Sequence, residues 1–270
     1  RLIDVETGEV VNSDKAEGVK LNTSAEVVAV ASNIAKTLSG MTIKEQADER
    51  LKAEQEAQRR AEIARQEQLQ SGAATGTIVG HEYVDLGLPS GTLWARCNIG
   101  ASSPEDYGNY YAWGETTTKS NYDWTTWWFR GSDGKLTKYN TKSSYGTVDN
   151  RTVLEMSDDA ARVNWGGDWR MPTREKWREL KDKCTWTWTT QGGKNGYRVT
   201  GPNGKSIFLP AAGYRYGTSL NGAGSYGYYW SSSLVTDYPS GAYYMDFDSG
   251  SVGPQDYNNR YDGFTVRPVR

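Results

Sequence analysis

The N-terminal part of the chain carries two patterns of apolar and polar positions. Residues 2–11 place short apolar runs on either side of a Glu-Thr-Gly turn, which predicts a β-hairpin. Apolar residues then recur at helical spacing up to Leu38, so we expect a helix that Ser24 caps and Gly40 ends. A capping-box pattern from Thr42 opens a second helix that reaches about residue 70. The second helix is highly charged with a thin alanine-rich seam, which favours a solvated stalk over a coiled coil.

The rest of the chain, from residue 78 onward, has a different pattern. Short apolar runs alternate with Gly, Ser, Thr and Asn turn signals, which predict short strands and long loops. Two short helices are predicted among them. One begins after the acidic segment 157–159, and the other begins after Thr173, from where Trp177 and Leu180 share one face. This part of the chain is therefore predicted to be α+β.

One predicted strand of this part has an unusual outer face. Between residues 242 and 248, Tyr243, Met245 and Phe247 alternate with side chains of the opposite parity. Such alternation predicts a half-buried strand, with these three residues facing the core. The predicted outward side chains are aromatic or acidic: Tyr244, Asp246 and Asp248.

Aromatic residues and a linker divide the chain. No Phe, Trp or Tyr lies between Arg1 and Glu82, whereas all 11 Trp and all 18 Tyr follow. The intervening segment 71–76 (SGAATG) has the composition of a flexible linker. We therefore expect three parts: the tail of an N-terminal α/β domain at 1–40, a charged helical stalk and linker at 41–77, and a ligand-binding domain at 78–270.

Charge and rare residue types argue against several classes of function. The 31 Lys and Arg nearly balance the 33 Asp and Glu, so the chain lacks the basic field of a general nucleic-acid binder. No apolar run approaches the roughly 18 residues of a membrane span. A single histidine, His81, and two cysteines cannot form a His/Cys zinc site or an iron–sulfur cluster, and they argue against a Ser-His-Asp hydrolase. No cofactor or bound metal is expected.

Long motifs of the second part resemble the Fibrobacter succinogenes major paralogous domain, a family abundant in Bacteroidetes. The resemblance spans nearly all of residues 78–270 and implies a C-type lectin-like fold, in the branch related to formylglycine-generating enzymes. It rests on 81–94 (HEYVDLGLPSGTLW), 110–115 (YYAWGE), 164–173 (NWGGDWRMPT), 208–213 (FLPAAG), 229–233 (YWSSS) and 263–269 (GFTVRPV). The segment 1–11, with its following helix, resembles the last strands of periplasmic lipoproteins of the curli-secretion and penicillin-binding-protein-activator type. That second resemblance implies an exported protein anchored at the cell surface or outer membrane through a missing N-terminus.

The family resemblance also implies a variable protein of a diversity-generating retroelement. In such proteins mutated adenines change Asn, Tyr, Ser and Asp positions of the final gene segment, which often ends in a run like 263–269. Independently of the family, residues 211–270 contain ten Tyr and five Asp but no Lys or Glu, a composition close to that of antibody binding loops. We therefore predict a ligand-binding face formed by Tyr216, Tyr226, Tyr228, Tyr238, Tyr244, Asp246, Asp248, Asp256, Tyr257, Tyr261 and Asp262, with Tyr229 and Tyr243 in the core.

Other candidate chemistry is weaker. The acidic pair Asp246 and Asp248 lacks the further ligands of a calcium loop, and the tripeptide of calcium-dependent sugar-binding lectins is absent. No cysteine follows Cys184, so the paired cysteines that formylglycine-generating enzymes need near their substrate groove are missing. Cys97 and Cys184 form either a disulfide or two buried thiols. In an exported protein, a disulfide between the two or a position close to each other is slightly favoured.

For several residues with a possible chemical role, a structural role is the stronger interpretation. Glu115, Asp158 and Asp159 are predicted to cap helices or bond within the fold, and His81 has no predicted catalytic role. The Trp residues of the family motifs (Trp94, Trp165, Trp169 and Trp230) are predicted to pack the core. For Trp124, Trp127 and Trp128, binding and core covering remain equal alternatives.

The sequence as a whole predicts a non-enzymatic surface display or adhesion protein. A protein or glycan on another cell or in the environment is its expected partner, without nucleic-acid binding. The alternatives are a carbohydrate-binding adhesin, a formylglycine-generating-type enzyme, and a structural surface component.

Overall fold

The computed structural model describes residues 23–253 and 257–270, and the predicted hairpin at 2–11 lies outside these ranges. The chain divides into two compact units, Arg1–Gln66 and Glu67–Arg270. The first element described is helix α1 (Ser24–Ser71), and all strands described lie in the second unit.

Helix α1 is continuous where the sequence predicted two helices. It passes through Gly40, because one glycine in a helix interior costs only about 1 kcal/mol and the flanking residues favour helix. Thr23 caps it instead of Ser24: the Glu26 N–H donates to Thr23 Oγ1 (3.4 Å), while the Glu26 carboxylate accepts from the Thr23 N–H (3.0 Å). Among the described residues, no helix is long and apolar enough to cross a membrane.

The described part of the second unit is α+β, with short strands, short helices and long loops. Three short 3₁₀ helices lie at Trp124–Thr126, Ser143–Tyr145 and Met156–Asp158. The other elements are β1 (Gly76–Ile78), β2 (His81–Asp85), β3 (Leu93–Ala95), β4 (Tyr110–Tyr111), α2 (Ala160–Trp165), α3 (Arg174–Lys183), β5 (Thr185–Gln191), β6 (Lys194–Thr200), β7 (Ser206–Pro210), β8 (Tyr214–Tyr216), β9 (Ser219–Asn221), β10 (Gly227–Leu234), β11 (Gly241–Phe247), β12 (Val252–Gly253), β13 (Tyr257–Asn259) and β14 (Phe264–Thr265).

The largest sheet has the strand order β12-β11-β10-β14-β4, with β13 also pairing with β11. All its pairs are antiparallel except β10 with β14, so the C-terminal strand lies between β10 and the much earlier β4. The last residue of the chain bonds to β3, since Leu93 and Arg270 exchange backbone hydrogen bonds of 2.7 and 2.9 Å. Two antiparallel sheets, β1-β2-β3 and β5-β6-β7, and the hairpin β8-β9 complete the unit.

Both predicted short helices are confirmed. The Asp159 carboxylate accepts from the N–H groups of Ala161 and Arg162 at the start of α2 (2.9 and 3.1 Å). Thr173 Oγ1 accepts from the Lys176 N–H at the start of α3. On α3 the predicted apolar face is buried, with Trp177 and Leu180 fully enclosed.

Strands β10 and β11 are covered by apolar clusters on both faces. Tyr229, Met245 and Phe247 pack with Trp177 of α3 on one side. On the other side Trp230, Phe264 and Tyr244 pack with residues that include Trp113, Tyr139, Leu154, Ala160 and Ala161. The sheet therefore has little free surface near its centre, and exposed side chains are confined to its ends and to the adjoining loops.

Most tryptophans hold the loop-rich core together, as predicted for Trp94, Trp169 and Trp230, which are all fully buried. Several indole N–H groups bond to backbone carbonyls of distant segments, whereas Trp94 Nε1 is buried without a hydrogen-bond partner among the described residues. Trp230 Nε1 donates to the Tyr111 carbonyl (2.8 Å), and Trp113 Nε1 donates to the Ser231 carbonyl (2.8 Å). Trp165 is half-buried and stacks on His81 with a ring separation of 3.8 Å. These bonds satisfy carbonyls that no strand partner reaches.

Cys97 and Cys184 are both free thiols, so they do not form the disulfide that export slightly favoured. Burial raises the pKa of Cys97, and it raises the pKa of Cys184 to about 11. A thiol with a raised pKa has little thiolate at neutral pH and is a poor nucleophile.

Candidate functional site

Four predicted site residues expose large aromatic surfaces. Tyr216, Tyr226, Tyr238 and Tyr257 are 57, 45, 39 and 52 % exposed. Each lies at an end of a strand or in a loop: Tyr216 ends β8, Tyr226 precedes β10, Tyr238 lies between β10 and β11, and Tyr257 begins β13. Tyrosine is enriched at protein interfaces relative to the rest of the protein surface.

Short, rigid connections fix these positions. Tyr216 and Ser219 are paired across the β8-β9 hairpin, and its two-residue connection starts with Gly217, whose φ of +56° favours glycine. The turn that carries Tyr238 is closed by hydrogen bonds from the Tyr238 N–H to the Val235 carbonyl and from the Gly241 N–H to the Tyr238 carbonyl. The rings of Tyr216 and Tyr238 therefore stand on hydrogen-bonded turns.

Ring contacts join three of the exposed tyrosines, directly or through neighbours, to further aromatic residues. The ring centroids of Tyr238 and Tyr257 are 5.7 Å apart, and Tyr145 lies 5.9 Å from Tyr238. Tyr261 lies 6.5 Å from Tyr216 and 6.2 Å from Trp124. Burial raises the pKa of Tyr261, and the nearby Asp262 and Tyr216 raise it further. We call these six residues the tyrosine face: Trp124, Tyr145, Tyr216, Tyr238, Tyr257 and Tyr261.

Backbone hydrogen bonds hold the segments of the face together. The Arg260 N–H donates to the Ser240 carbonyl (3.0 Å), which connects the segment of Tyr238 to that of Tyr261. Arg215 and Gly263 exchange both backbone hydrogen bonds (2.8 and 2.9 Å), so the residues beside them, Tyr216 and Tyr261, lie on adjacent segments. Glycine is required at 263 because a Cβ there would lie 2.7 Å from the ring of Tyr122.

Tyr226 belongs to a second aromatic group that leads into the core. Its ring lies 6.3 Å from Tyr228, which in turn contacts Tyr214 (5.0 Å) and Tyr244 (5.6 Å). Tyr228 is half-buried and faces Asp246 across the β10-β11 pair. Burial raises the pKa of Tyr228 to about 12, with a further contribution from Asp246. Only the outer end of this group is available to a ligand.

Two predicted site residues are buried, which corrects their assignment to the outer surface. Tyr244 is 7 % exposed because Phe264, Trp230 and Tyr228 cover the face of β11 that was expected to meet solvent. Asp262 is 3 % exposed and lies in the turn before β14, where its N–H donates to the Asn259 carbonyl.

Tyr243, predicted to be in the core, is half-buried instead. The Arg174 guanidinium lies 3.9 Å above its ring. Tyr229 is fully buried, as predicted.

The other acidic positions of the predicted face have local roles or are undescribed. Asp248 accepts from the Gly250 N–H (2.8 Å) in a turn, while Asp246 is half-buried. Asp256 lies outside the described residues. Within the described ranges, no three His, Cys, Asp or Glu side chains are placed to hold a metal ion.

Asp262 is the most perturbed carboxyl group beside the face. Its Oδ1 atom has no hydrogen-bond partner among the described residues, and burial raises the pKa of this carboxyl to about 7. Transfer of an ionised carboxylate from water to such a site is costly. Protonation of Asp262 therefore lowers the free energy of the folded state.

The three tryptophans of segment 124–128 divide between core and surface. Trp127 is 2 % exposed, and its indole N–H donates to the Trp113 carbonyl (3.1 Å). Trp124 is half-buried beneath Tyr261, and Trp128 is 52 % exposed. Core covering therefore holds for Trp127, and a binding role for Trp124 and Trp128 stays a prediction.

The acidic residues that were considered for catalysis bond within the fold, as predicted. The buried Glu115 pairs with Lys119 (2.8 Å) and accepts from the Trp128 N–H (2.9 Å). Asp158 accepts from Lys138 and from the Tyr139 hydroxyl. Asp159 caps α2, as described above.

Two buried arginines were missed in the sequence. Arg260 is fully buried, stacks on Trp127 (4.2 Å), and donates to the carbonyls of Pro239, Lys138 and Tyr139. Arg267 donates to Asn98 Oδ1 and three carbonyls. The one signal in the sequence was that segment 211–270 contains Arg but no Lys. Both side chains fix the C-terminal segment to distant parts of the domain.

A polar cleft of about 630 Å³ lies beside the tyrosine face and was also missed. Arg215, next to Tyr216, lines it together with Lys119 and the hydroxyl-bearing Thr118, Ser120 and Thr218. The Arg215 guanidinium lies 5.3 Å from the Tyr110 ring. The cleft adds a cationic, hydrogen-bonding compartment to an otherwise aromatic surface.

A family model matches the C-terminal part of the chain. Residues 184–269 match the model of a domain of unknown function (DUF8237). That span contains all eleven residues of the predicted site, but not Trp124 or Tyr145. No curated protein and no solved structure matches the chain.

Proposed function

We propose that the second unit is a non-enzymatic ligand-binding module that presents the tyrosine face to a protein or glycan partner. The observation that carries this proposal is the exposure of Tyr216, Tyr238 and Tyr257, on three separate segments between 211 and 270, each with a ring contact to another member of the tyrosine face. Tyrosine gives a large contact area at a small entropy cost, because it has only two side-chain torsions to fix.

The division between scaffold and face supports the proposal. Within segment 257–262, the exposed Tyr257 and the half-buried Tyr261 lie on either side of the fully buried anchor Arg260. Changes at the exposed positions leave the anchors untouched, so one backbone can present many surfaces. This is the physical requirement for a diversified binding protein.

The fold and origin that we propose follow the family resemblance. The domain would be a C-type lectin-like member of the Fibrobacter succinogenes major paralogous family, diversified by a retroelement and carried by a surface lipoprotein on a helical stalk. The Lys-free and Glu-free composition of residues 211–270 supports this origin. A neighbouring reverse-transcriptase gene, with a template repeat that differs mainly at adenines, would establish it.

The proposal that the protein is not an enzyme rests on its nucleophiles. Both thiols have raised pKa values, and the acidic residues considered above are engaged in structural bonds. Formation of formylglycine on a sulfatase-type peptide by this protein would contradict the proposal.

Replacement of Tyr216, Tyr238 and Tyr257 together by serine is expected to abolish ligand binding while the melting temperature changes little. These rings contribute contact area to a ligand but little to the core. Binding should be measured on glycan arrays and arrays of purified cell-surface proteins, with and without a calcium chelator. A chelator-sensitive glycan signal would instead support a calcium-dependent lectin.

A matched control replaces three exposed apolar residues outside segment 211–270 by serine. Val79, Met156 and Val163 are 58, 61 and 50 % exposed. This variant should keep every array signal of the wild-type protein. Retention of the same signals by the triple tyrosine variant would show that the ligand binds elsewhere.

A further inference from the structure

The polar cleft beside the tyrosine face is formed by segments that hydrogen bonds hold together. Its volume is about 630 Å³, and its walls come from three parts of the chain, within 108–110, 118–122 and 215–218. Tyr122 and Gly217 exchange both backbone hydrogen bonds (2.8 Å each), which fixes the second part against the third. The cleft is therefore formed before a ligand arrives, as most small-ligand sites are.

Arg215 is the cation of this cleft that has no partner. Its side chain is half-buried, and the guanidinium carbon lies 5.3 Å from the centre of the Tyr110 ring, which also lines the cleft. Among the described residues, no carboxylate forms an ion pair with this guanidinium and no oxygen accepts from its N–H groups. The guanidinium nitrogens are not enclosed, so their N–H groups are available to a ligand.

The acidic groups of the neighbouring loop do not oppose an anion in the cleft. Among the described residues that line it, none is acidic. Glu115 is buried and pairs with Lys119 (2.8 Å), the second cation of the cleft, so these two charges offset each other. Asp123 caps the first 3₁₀ helix, where its carboxylate accepts from the N–H groups of Thr125 and Thr126. The charge of Arg215 is therefore left for an anionic ligand to balance.

The remaining walls indicate what kind of anion fits. Thr118, Ser120 and Thr218 carry hydroxyl groups, and Asn109 adds an amide. These groups both donate and accept hydrogen bonds, as the hydroxyls of a sugar do, whereas an aliphatic or aromatic acid offers them no partner. A guanidinium binds a carboxylate through two parallel N–H···O bonds.

We propose that the cleft binds a carboxylate-bearing sugar residue. The carboxylate accepts from the Arg215 guanidinium, and the sugar hydroxyls bond to the threonine and serine side chains of the walls. This inference rests on the function proposed above, because the cleft adjoins the tyrosine face at Tyr216, and it names the ligand class there: a glycan that contains an acidic sugar.

The probes are the methyl glycosides of glucuronic, galacturonic and N-acetylneuraminic acid, each compared with its neutral carboxamide. We expect at least one acid to bind saturably in NMR titrations of the full chain and to shift the Arg215 Nε–H resonance. Its carboxamide should bind at least tenfold more weakly, the loss expected for a charge-assisted hydrogen bond. Acetate should also bind more weakly, because it lacks the hydroxyls.

Arg215→Gln should weaken binding of the acid by about tenfold or more and leave binding of the carboxamide unchanged. The melting temperature should stay near that of the wild-type protein, because the Arg215 side chain bonds to no described residue. Arg151→Gln is the matched control, at an exposed arginine paired with Glu155, and should bind like the wild-type protein. The proposal is overturned if none of the acids binds saturably, if acid and carboxamide bind equally, if acetate binds as tightly as the acids, or if Arg215→Gln binds like the wild-type protein.

The triple tyrosine variant separates this proposal from the proposed function. Loss of its array signals, together with no binding of acidic sugars by the wild-type protein, would overturn the cleft proposal alone. Unchanged array signals in that variant, together with acidic-sugar binding that depends on Arg215, would overturn the role of the tyrosine face and support the cleft.

Discussion

Replacement of Arg267 by methionine is expected to prevent stable folding of the second unit. The Arg267 guanidinium is fully buried and donates to Asn98 Oδ1 (2.7 Å), the Ala95 and Arg96 carbonyls (3.1 and 2.7 Å) and the Phe208 carbonyl (2.8 Å). Methionine fills similar volume but leaves these four acceptors unsatisfied, at about 1–3 kcal/mol each. The sum is comparable to the total stability of a typical domain, roughly 5–15 kcal/mol.

Arg270 provides a matched control three residues away. Its side chain is 45 % exposed, and its ion pair with Asp168 (3.3 Å) lies in solvent. Arg270→Met should therefore lower the free energy of unfolding by less than about 1 kcal/mol. Chemical denaturation followed by Trp fluorescence compares the two variants. Equal stability of Arg267→Met and Arg270→Met would contradict the role assigned to the buried guanidinium.

Asp262→Asn is expected to stabilise the protein, and to do so more strongly at higher pH. The folded-state pKa of Asp262 is about 7, against about 3.9 in an unfolded chain. As pH rises from 4 to 7, the unfolded chain releases this proton first, so the free energy of unfolding of the wild-type protein falls. The loss reaches about 4 kcal/mol above pH 7 and is absent in the amide variant.

The measurement is the difference in free energy of unfolding between Asp262→Asn and wild type at pH 5 and at pH 8. It should grow by about 2–3 kcal/mol over that range. Asp237→Asn, at a 97 % exposed side chain, is the control and should show no such growth. A difference for Asp262→Asn that is the same at both pH values would show that its carboxyl titrates normally in the folded protein.

Local signals in the sequence predicted the elements that depend on local contacts. The cap at Thr173 and the apolar face with Trp177 and Leu180 define α3 within a few residues. Tertiary packing then buries the face that the sequence predicted. The two-helix prediction around Gly40 was wrong because one glycine is a weak signal inside a long run of good helix formers.

The burial of Tyr244 could not be read from its strand. Alternation places Tyr244 and Met245 on opposite faces, and it does so correctly. It cannot show that Phe264 lies against Tyr244 or that an apolar cluster with Trp113 and Tyr139 packs on the second face. The same holds for Arg260 and Arg267, whose acceptors are backbone carbonyls of remote loops. Composition did locate the exposed tyrosines, because an excess of Tyr in a segment without Lys or Glu depends on no long-range contact.

One set of tyrosines is proposed to form a replaceable binding face on a scaffold that another set helps to build. Two libraries test it directly, each with four tyrosines randomised among Asn, Asp, Ser and Tyr and displayed on yeast. One library varies the exposed Tyr216, Tyr226, Tyr238 and Tyr257, and the other varies the buried Tyr110, Tyr122, Tyr229 and Tyr244. Protease resistance reports folding, and selection against unrelated purified proteins reports binding.

We predict that most members of the exposed library fold and that selection yields members with new specificities. Almost none of the buried library should fold, because each large-to-small change in a core costs about 3–5 kcal/mol. Equal folded fractions in the two libraries, or an exposed library that folds but yields no binder to any target, would contradict the account.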